Sequence, residues 1–181
     1  MTIVPDDKNW TWVLERPCPE CGFDASSVEL GQVGATIRAM NPLWDSVLRR
    51  PSVHDRPSPQ VWSPLEYGCH VRDVYRVFDG RLSLMLSEDH PVFANWDQDE
   101  TAIEDKYGEQ DPATVASDLA NAADSLADGF DGVGDARWLR TSERSDGSVF
   151  TVDSFAKYLL HDPIHHLWDV GEPFGDDDTR R

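Results

Sequence analysis

Asp153-Ser-Phe-Ala-Lys-Tyr-Leu-Leu-His161-Asp-Pro-Ile-His165-His166-Leu-Trp-Asp169 is the stretch on which the fold turns. Its apolar residues recur at helical spacing, which predicts a helix from about Val152 to Asp169. At about 100° per residue, His161 and His165 lie only about 40° apart, one turn above the other. Two imidazoles so placed can hold one divalent metal ion. His166 lies about 140° round the helix from His161 and is expected to point away from that ligand position. Leu159, Leu160, Ile164 and Leu167 mark the segment as substantially buried, and buried neutral imidazoles need partners for both ring nitrogens. A metal satisfies one nitrogen on each. Pro163, between the pair, frees the Leu159 carbonyl and predicts a bend. For any single histidine, a hydrogen-bonded core residue is the ordinary reading.

A third ligand must come from elsewhere, and His70 is the best candidate. It lies near the start of a second helix, announced by Trp62-Ser63-Pro64-Leu65-Glu66. Ser63 reads as the cap, Pro64 as the first helical residue and Glu66 as the closing member of a capping box. Apolar spacing carries this helix to about Leu86. An earlier helix is expected to begin at Ser26 or Ser27, where Ser26 and Glu29 have capping-box spacing. It runs through Val33, Ile37, Met40, Trp44 and Val47, should kink at Pro42, and ends at Arg49-Arg50-Pro51. A third helix starts at Asp111-Pro112 and reaches about Gly129.

Between these helices, 51–61 is a proline-rich loop, and 88–110 is acidic, irregular and long enough to be covering something. Ser145-Asp146-Gly147, flanked by Trp138-Leu-Arg140 and Val149-Phe-Thr151, predicts a hairpin. The alternation of Trp10, Trp12 and Leu14 fits a short strand or a set of apolar anchors. Four long helices predict an all-α four-helix bundle with a short β-hairpin before the last helix. The chain divides into an N-terminal arm with a CxxC turn (1–24), the bundle (25–170) and a flexible acidic tail (171–181).

Length suits one domain, and an apolar fraction of 39% with seven tryptophans is enough for a substantial core. A formal net charge of −18 leaves no basic stripe for nucleic acid and no attraction to an anionic membrane surface. No run approaches the roughly 18 apolar residues of a membrane span, and the first residues lack the pattern of a secretory signal. The expected compartment is the cytoplasm. Expected partners are a small-molecule substrate and, at most, a second copy in a homodimer.

Cys18, Cys21 and Cys69 are too few, and odd in number, for a disulfide framework. Cys18-Pro-Glu-Cys21-Gly has the spacing of half a zinc knuckle, but no second cysteine pair follows and His54 could add at most one ligand. Pro17 and Pro19 bracket Cys18, so the favoured reading is a turn carrying two ordinary thiols with no catalytic part, a metal or redox role being the alternative. Burial is the expected role of Cys69.

The pattern Trp62-Ser63-x-x-Glu66-x-x-x-His70, then a hairpin, then His161-Asp-x-x-His165-His166, resembles the DinB/YfiT-like metalloenzyme superfamily, to which the N-terminal domains of mycothiol-dependent maleylpyruvate isomerases are related. The matched segments span roughly 25–170. The resemblance implies a four-helix bundle with a three-histidine metal site, one ligand from the second helix and two from the fourth. Carried over by position, these are His70, His161 and His165. Imidazole accepts zinc, the first expectation, and also nickel or iron; the resemblance implies, in members with assigned chemistry, a low-molecular-weight thiol such as mycothiol or bacillithiol as cosubstrate. Pro163 between the fourth-helix ligands and the CxxC turn before the bundle both depart from the family pattern.

Three neutral imidazoles would leave the ion its full charge and open positions for water, thiol or substrate. Metal filling should fade as pH falls through about 6.5, where imidazoles gain protons. Asp162 is expected on the surface or as a partner behind a ligand, and Asp73 as a better partner of that kind. Two function classes follow. One is a metal-dependent transferase, isomerase or hydrolase, with the thiol-dependent reactions favoured. The other is a non-catalytic metal-binding or stress-response protein. Catalytic and substrate-contacting residues are not legible.

Overall fold

The computed structural model describes Ile3 and residues 9–175. Eight elements organise it in chain order: α1 (Val33–Leu48), α2 (Pro64–Ser87), β1 (Val92–Phe93), α3 (Gln98–Glu104), α4 (Pro112–Asp131), β2 (Thr141–Arg144), β3 (Val149–Thr151) and α5 (Val152–Asp169). The long helices α1, α2, α4 and α5 form a four-helix bundle with a small sheet before the last helix. The tail beyond residue 175 and most of residues 1–8 lie outside the described residues.

Local chemistry explains three of the four long helix starts. Ser63 Oγ accepts from the Glu66 amide at 3.3 Å, and Glu66 Oε2 accepts from the Ser63 amide at 2.8 Å, with Pro64 first in α2. In α5 the same reciprocal box joins Thr151 and Ser154. Asp111 Oδ1 caps α4 by accepting from the Thr114 amide at 2.8 Å. The expected Ser26 start of α1 is a correction. Asp24 takes the Ser26 amide and hydroxyl, at 2.9 and 2.7 Å, and closes only a 3-10 turn over Ala25–Ser27. Val28 and Glu29 are then extended, a second 3-10 turn covers Leu30–Gln32, and α1 begins at Val33 without a side-chain cap. Helix α1 continues through Pro42, as α5 does through Pro163.

Helix α4 packs along both α1 and α2, while α5 touches α1, α2 and the arm. Trp44, Tyr75, Leu126, Leu159 and Phe155 are among the side chains sealed inside. The hairpin β2–β3 is antiparallel, with Ser142 opposite Phe150, and β1 joins it in parallel, pairing Val92 with Glu143. The segment 88–110 is therefore partly ordered: besides β1 it holds α3, capped by Asp97, and a 3-10 turn at Tyr107–Glu109. Arg140 ties the hairpin to the end of α2 by donating to the Met85 and Glu88 carbonyls, where cations oppose the helix dipole well. The arm makes no strand at its tryptophans. Trp10–Leu14 is a single 3-10 turn that lays Val13 into the core against α5, so the apolar-anchor reading holds.

Candidate metal centre

Helix α5 carries two ligand stripes. His161 and His165 make one, with ring centroids 5.0 Å apart. Asp162 and His166, also one turn apart, make the other, about 100° round the helix. The first stripe faces the arm and the second faces α2.

Among the described residues, two sets of His, Cys, Asp and Glu bring one ligand atom each within 4.8 Å of one another. One set is His70, Asp162 and His166; the other is Cys18, Cys21, His161 and His165. The structure thus brings two of the three expected ligands, His161 and His165, together and places the third, His70, with different partners. His166, expected to point away, has its ring 5.0 Å from that of His70. The physical reason is rotation about α5: the face that meets α2 is the Asp162–His166 face. A search for paired histidines passes over it because one member is a carboxylate.

Helix α2 delivers His70 from the inside, 1% exposed. Its Nε2 lies 3.5 Å from Asp162 Oδ2, while Asp162 Oδ1 lies 3.8 Å from His166 Nε2. Both ring nitrogens of His70 and Oδ1 of Asp162 are shut off from solvent and lack a hydrogen-bond partner among the described residues. Orphaned polar atoms of this kind are costly in a folded chain and call for a missing partner. An ion bound by two imidazoles and a carboxylate fits that description. The other nitrogen of His166, Nδ1, is 2.8 Å from Asp169 Oδ2, which fixes the ring with Nε2 toward Asp162.

Aromatic rings wall the site. Trp62 lies 5.2 Å from the His70 ring, Trp96 stacks on it at 5.8 Å and 8°, and Tyr67 lies 4.9 Å from His166. Trp96 comes from the segment 88–110, so that segment does cover something. Burial would raise the Asp162 pKa, but the facing His166 and His70 outweigh it and hold it down at about 2. Asp162 is therefore ionised as a ligand must be. Tyr75 is wholly buried, and burial together with the Asp162 charge raises its pKa, so its hydroxyl stays protonated. His161 is lowered to about 4 by burial and by neighbouring His165, which keeps it neutral.

The remaining candidates divide cleanly. Asp73 is no partner of a ligand histidine. It holds Arg72 in a two-pronged pair at 2.9 and 2.7 Å, Arg76 at 3.1 Å and the Tyr107 hydroxyl at 2.7 Å. Cys69 is buried as expected, and burial pushes its thiol up to about 12. Two surface hollows lie away from these residues, one between α1 and α4 and one beside the start of α5.

A family model described as the DinB superfamily matches residues 32–170, which includes His70, Asp162 and His166. The chain belongs to the DinB superfamily. Among solved structures, one match is YfiT from Bacillus subtilis, described as a probable metal-dependent hydrolase with an unusual four-helix bundle topology. The likeness covers 92% of this chain and 89% of that one, with a TM-score of 0.61 and 15% identity, so it speaks for the shared fold. No curated protein matches. No helix among the described residues is long and apolar enough to cross a membrane.

Proposed function

We propose that this DinB-superfamily chain is a metal-dependent enzyme whose centre is His70, Asp162 and His166, and that its reaction is hydrolysis of a small molecule. The observation that carries the reading is the set of sealed polar atoms on His70 and Asp162 that make no hydrogen bond, with ligand atoms of both residues and of His166 within 4.8 Å of one another. Two imidazoles and one carboxylate make three protein ligands, which is the open arrangement of catalytic rather than structural sites. A divalent ion held there would supply a Lewis acid and acidify a coordinated water or thiol. Asp162 contributes a negative charge, so the centre is less electropositive than three neutral imidazoles would make it. That lessens the acidification of a bound water and of a bound thiol alike, but two imidazoles with one carboxylate is a ligand set that metal-dependent hydrolases use. The description of YfiT as a probable metal-dependent hydrolase points the same way.

The chain's own residues have separable tasks. Asp169 holds His166 in one tautomer, and Trp62 and Trp96 keep water off the flanks of His70. Asp162 and His166, with side chains 32% and 18% exposed, leave the open side of the centre toward solvent.

The test begins with protein purified without an affinity tag and analysed for zinc, nickel and iron. A panel of esters, amides, lactones and phosphoesters is then assayed with and without chelator. A parallel panel supplies mycothiol, bacillithiol or glutathione with electrophiles. The expected result is chelator-sensitive hydrolysis that His70→Ala, Asp162→Ala and His166→Ala abolish, each with loss of one metal equivalent. Turnover only in the thiol panel would replace hydrolysis by thiol-dependent transfer or isomerisation at the same centre. Metal content and turnover that survive all three substitutions would remove the centre itself.

A further inference from the structure

We infer that Cys18, Cys21, His161 and His165 form a second metal site, a closed zinc site that clamps the N-terminal arm to α5. It stands independently of the catalytic reading, since it shares no ligand with that centre. The sequence spacing is itself informative. Cys18-x-x-Cys21 and His161-x-x-x-His165 are the two halves of a Cys2His2 pattern, but a whole bundle separates them, so only the fold can join them. The half knuckle that lacked a second cysteine pair finds two histidines instead.

Geometry supports one ion shared by all four. Their ligand atoms lie within 4.8 Å of one another. The Cys18 sulfur is 3.7 Å from His165 Nδ1. Zinc bonds of about 2.3 Å to sulfur and about 2.0–2.1 Å to nitrogen, at a tetrahedral angle, put neighbouring ligand atoms about 3.4–3.8 Å apart. The turn is built as a ligand loop. The Gly22 amide donates to the Cys18 carbonyl at 3.0 Å, and the Cys18 amide donates to the Phe23 carbonyl at 2.8 Å. Gly22 has φ +77°, which a residue with a side chain would adopt only under strain.

The surroundings also fit a cation. His161 Nε2 is buried with no hydrogen-bond partner among the described residues, although its ring sits beside two sulfurs. Carboxylates back His165 on its far side, with Nε2 3.5 Å from Glu20 and 3.9 Å from Asp169, leaving Nδ1 for the ion. Trp10, 5.2 Å from His161 and 5.1 Å from His165, and Phe23, 5.7 Å from His161, shield the cluster from water. Two thiolates with Zn²⁺ are electrically neutral, which suits burial. Four protein ligands leave no open position, so the role is structural. Because His161 and His165 alternate along α5 with Asp162 and His166, the clamp also fixes the rotation of the helix that presents the other centre.

The experiment uses the full chain loaded with zinc and, separately, with cobalt(II). The cobalt form should show thiolate-to-metal charge transfer and the strong visible bands of a tetrahedral ion. Cys18→Ser with Cys21→Ser should abolish the charge transfer, while Asp162→Ala should keep it. In case the cysteine variant fails to fold, the wild-type zinc form is titrated with a thiol-modifying reagent. Modification of two thiols should release one equivalent of zinc. A cobalt spectrum without thiolate charge transfer, or thiol modification that releases no zinc, would overturn the site.

Discussion

Asp73 lies one turn beyond His70, yet its carboxylate serves Arg72, Arg76 and Tyr107. Burial acts to raise its pKa, and hydrogen bonds from Arg72 and Tyr107 reverse this and leave it lowered. A carboxylate with a lowered folded pKa contributes stability that is complete above about pH 4 and is lost as pH falls toward the folded value. Asp73→Asn should therefore destabilise the chain by roughly 3 kcal/mol at neutral pH, because it leaves buried Arg72 unpaired. Denaturation of both proteins across pH 3–7 checks it: the gap should be flat above about pH 4 and narrow below it. A gap that widens on acidification would show that the carboxylate is not stabilising. Ser63→Ala removes the cap of α2 and should cost about 0.5–2 kcal/mol by thermal denaturation. The backbone of Ser63 would still be held by Glu66, which Arg56 anchors in turn.

Among the elements, the approach of α1 to α4 is the closest constraint. A Cβ on Gly34 would lie 2.9 Å from the Ala127 carbonyl oxygen and 2.2 Å from Asp131 Oδ1. The side chain of Asp131 can swing away, though it would then leave Arg38, which it holds at 2.7 Å. The backbone of α4 cannot move so easily. Gly34→Ala should thus push the helices apart and cost about 1–3 kcal/mol, read by urea denaturation. An unchanged midpoint would mean that α1 and α4 have room to spare. Gly68 faces only the tip of Leu48, at 2.8 Å, and its alanine variant should be milder because a leucine can change rotamer.

At the scale of the whole molecule, the net charge of −18 repels itself in the compact state. Screening should relieve that strain. Raising salt from 20 mM to 0.5 M is expected to lift Tm by about 2–4 °C, the equivalent of roughly 1 kcal/mol for a chain of this size. A falling Tm would show that ion pairs such as Arg38 with Asp128 and Asp131 outweigh the repulsion. The sequence by itself determined the bundle. Helix periodicity, the Ser63–Glu66 box, Asp111-Pro112 and the Asp146-Gly147 turn are short-range signals, and each element they announce is present. It also singled out His70 and the end of α5, whose residues the structure gathers into the two clusters. The start of α1 was less legible because Asp24 competes for the same Ser26 donors. Only the tertiary structure decided the grouping of the ligands. Spacing along α5 offers two stripes, 161–165 and 162–166, and nothing local says which one meets α2. That choice is made by packing: α2 brings His70 to one stripe and the arm brings Cys18 and Cys21 to the other. Both contacts join residues far apart in sequence, and the rotation of a helix in its bundle is set by the burial of all its neighbours at once.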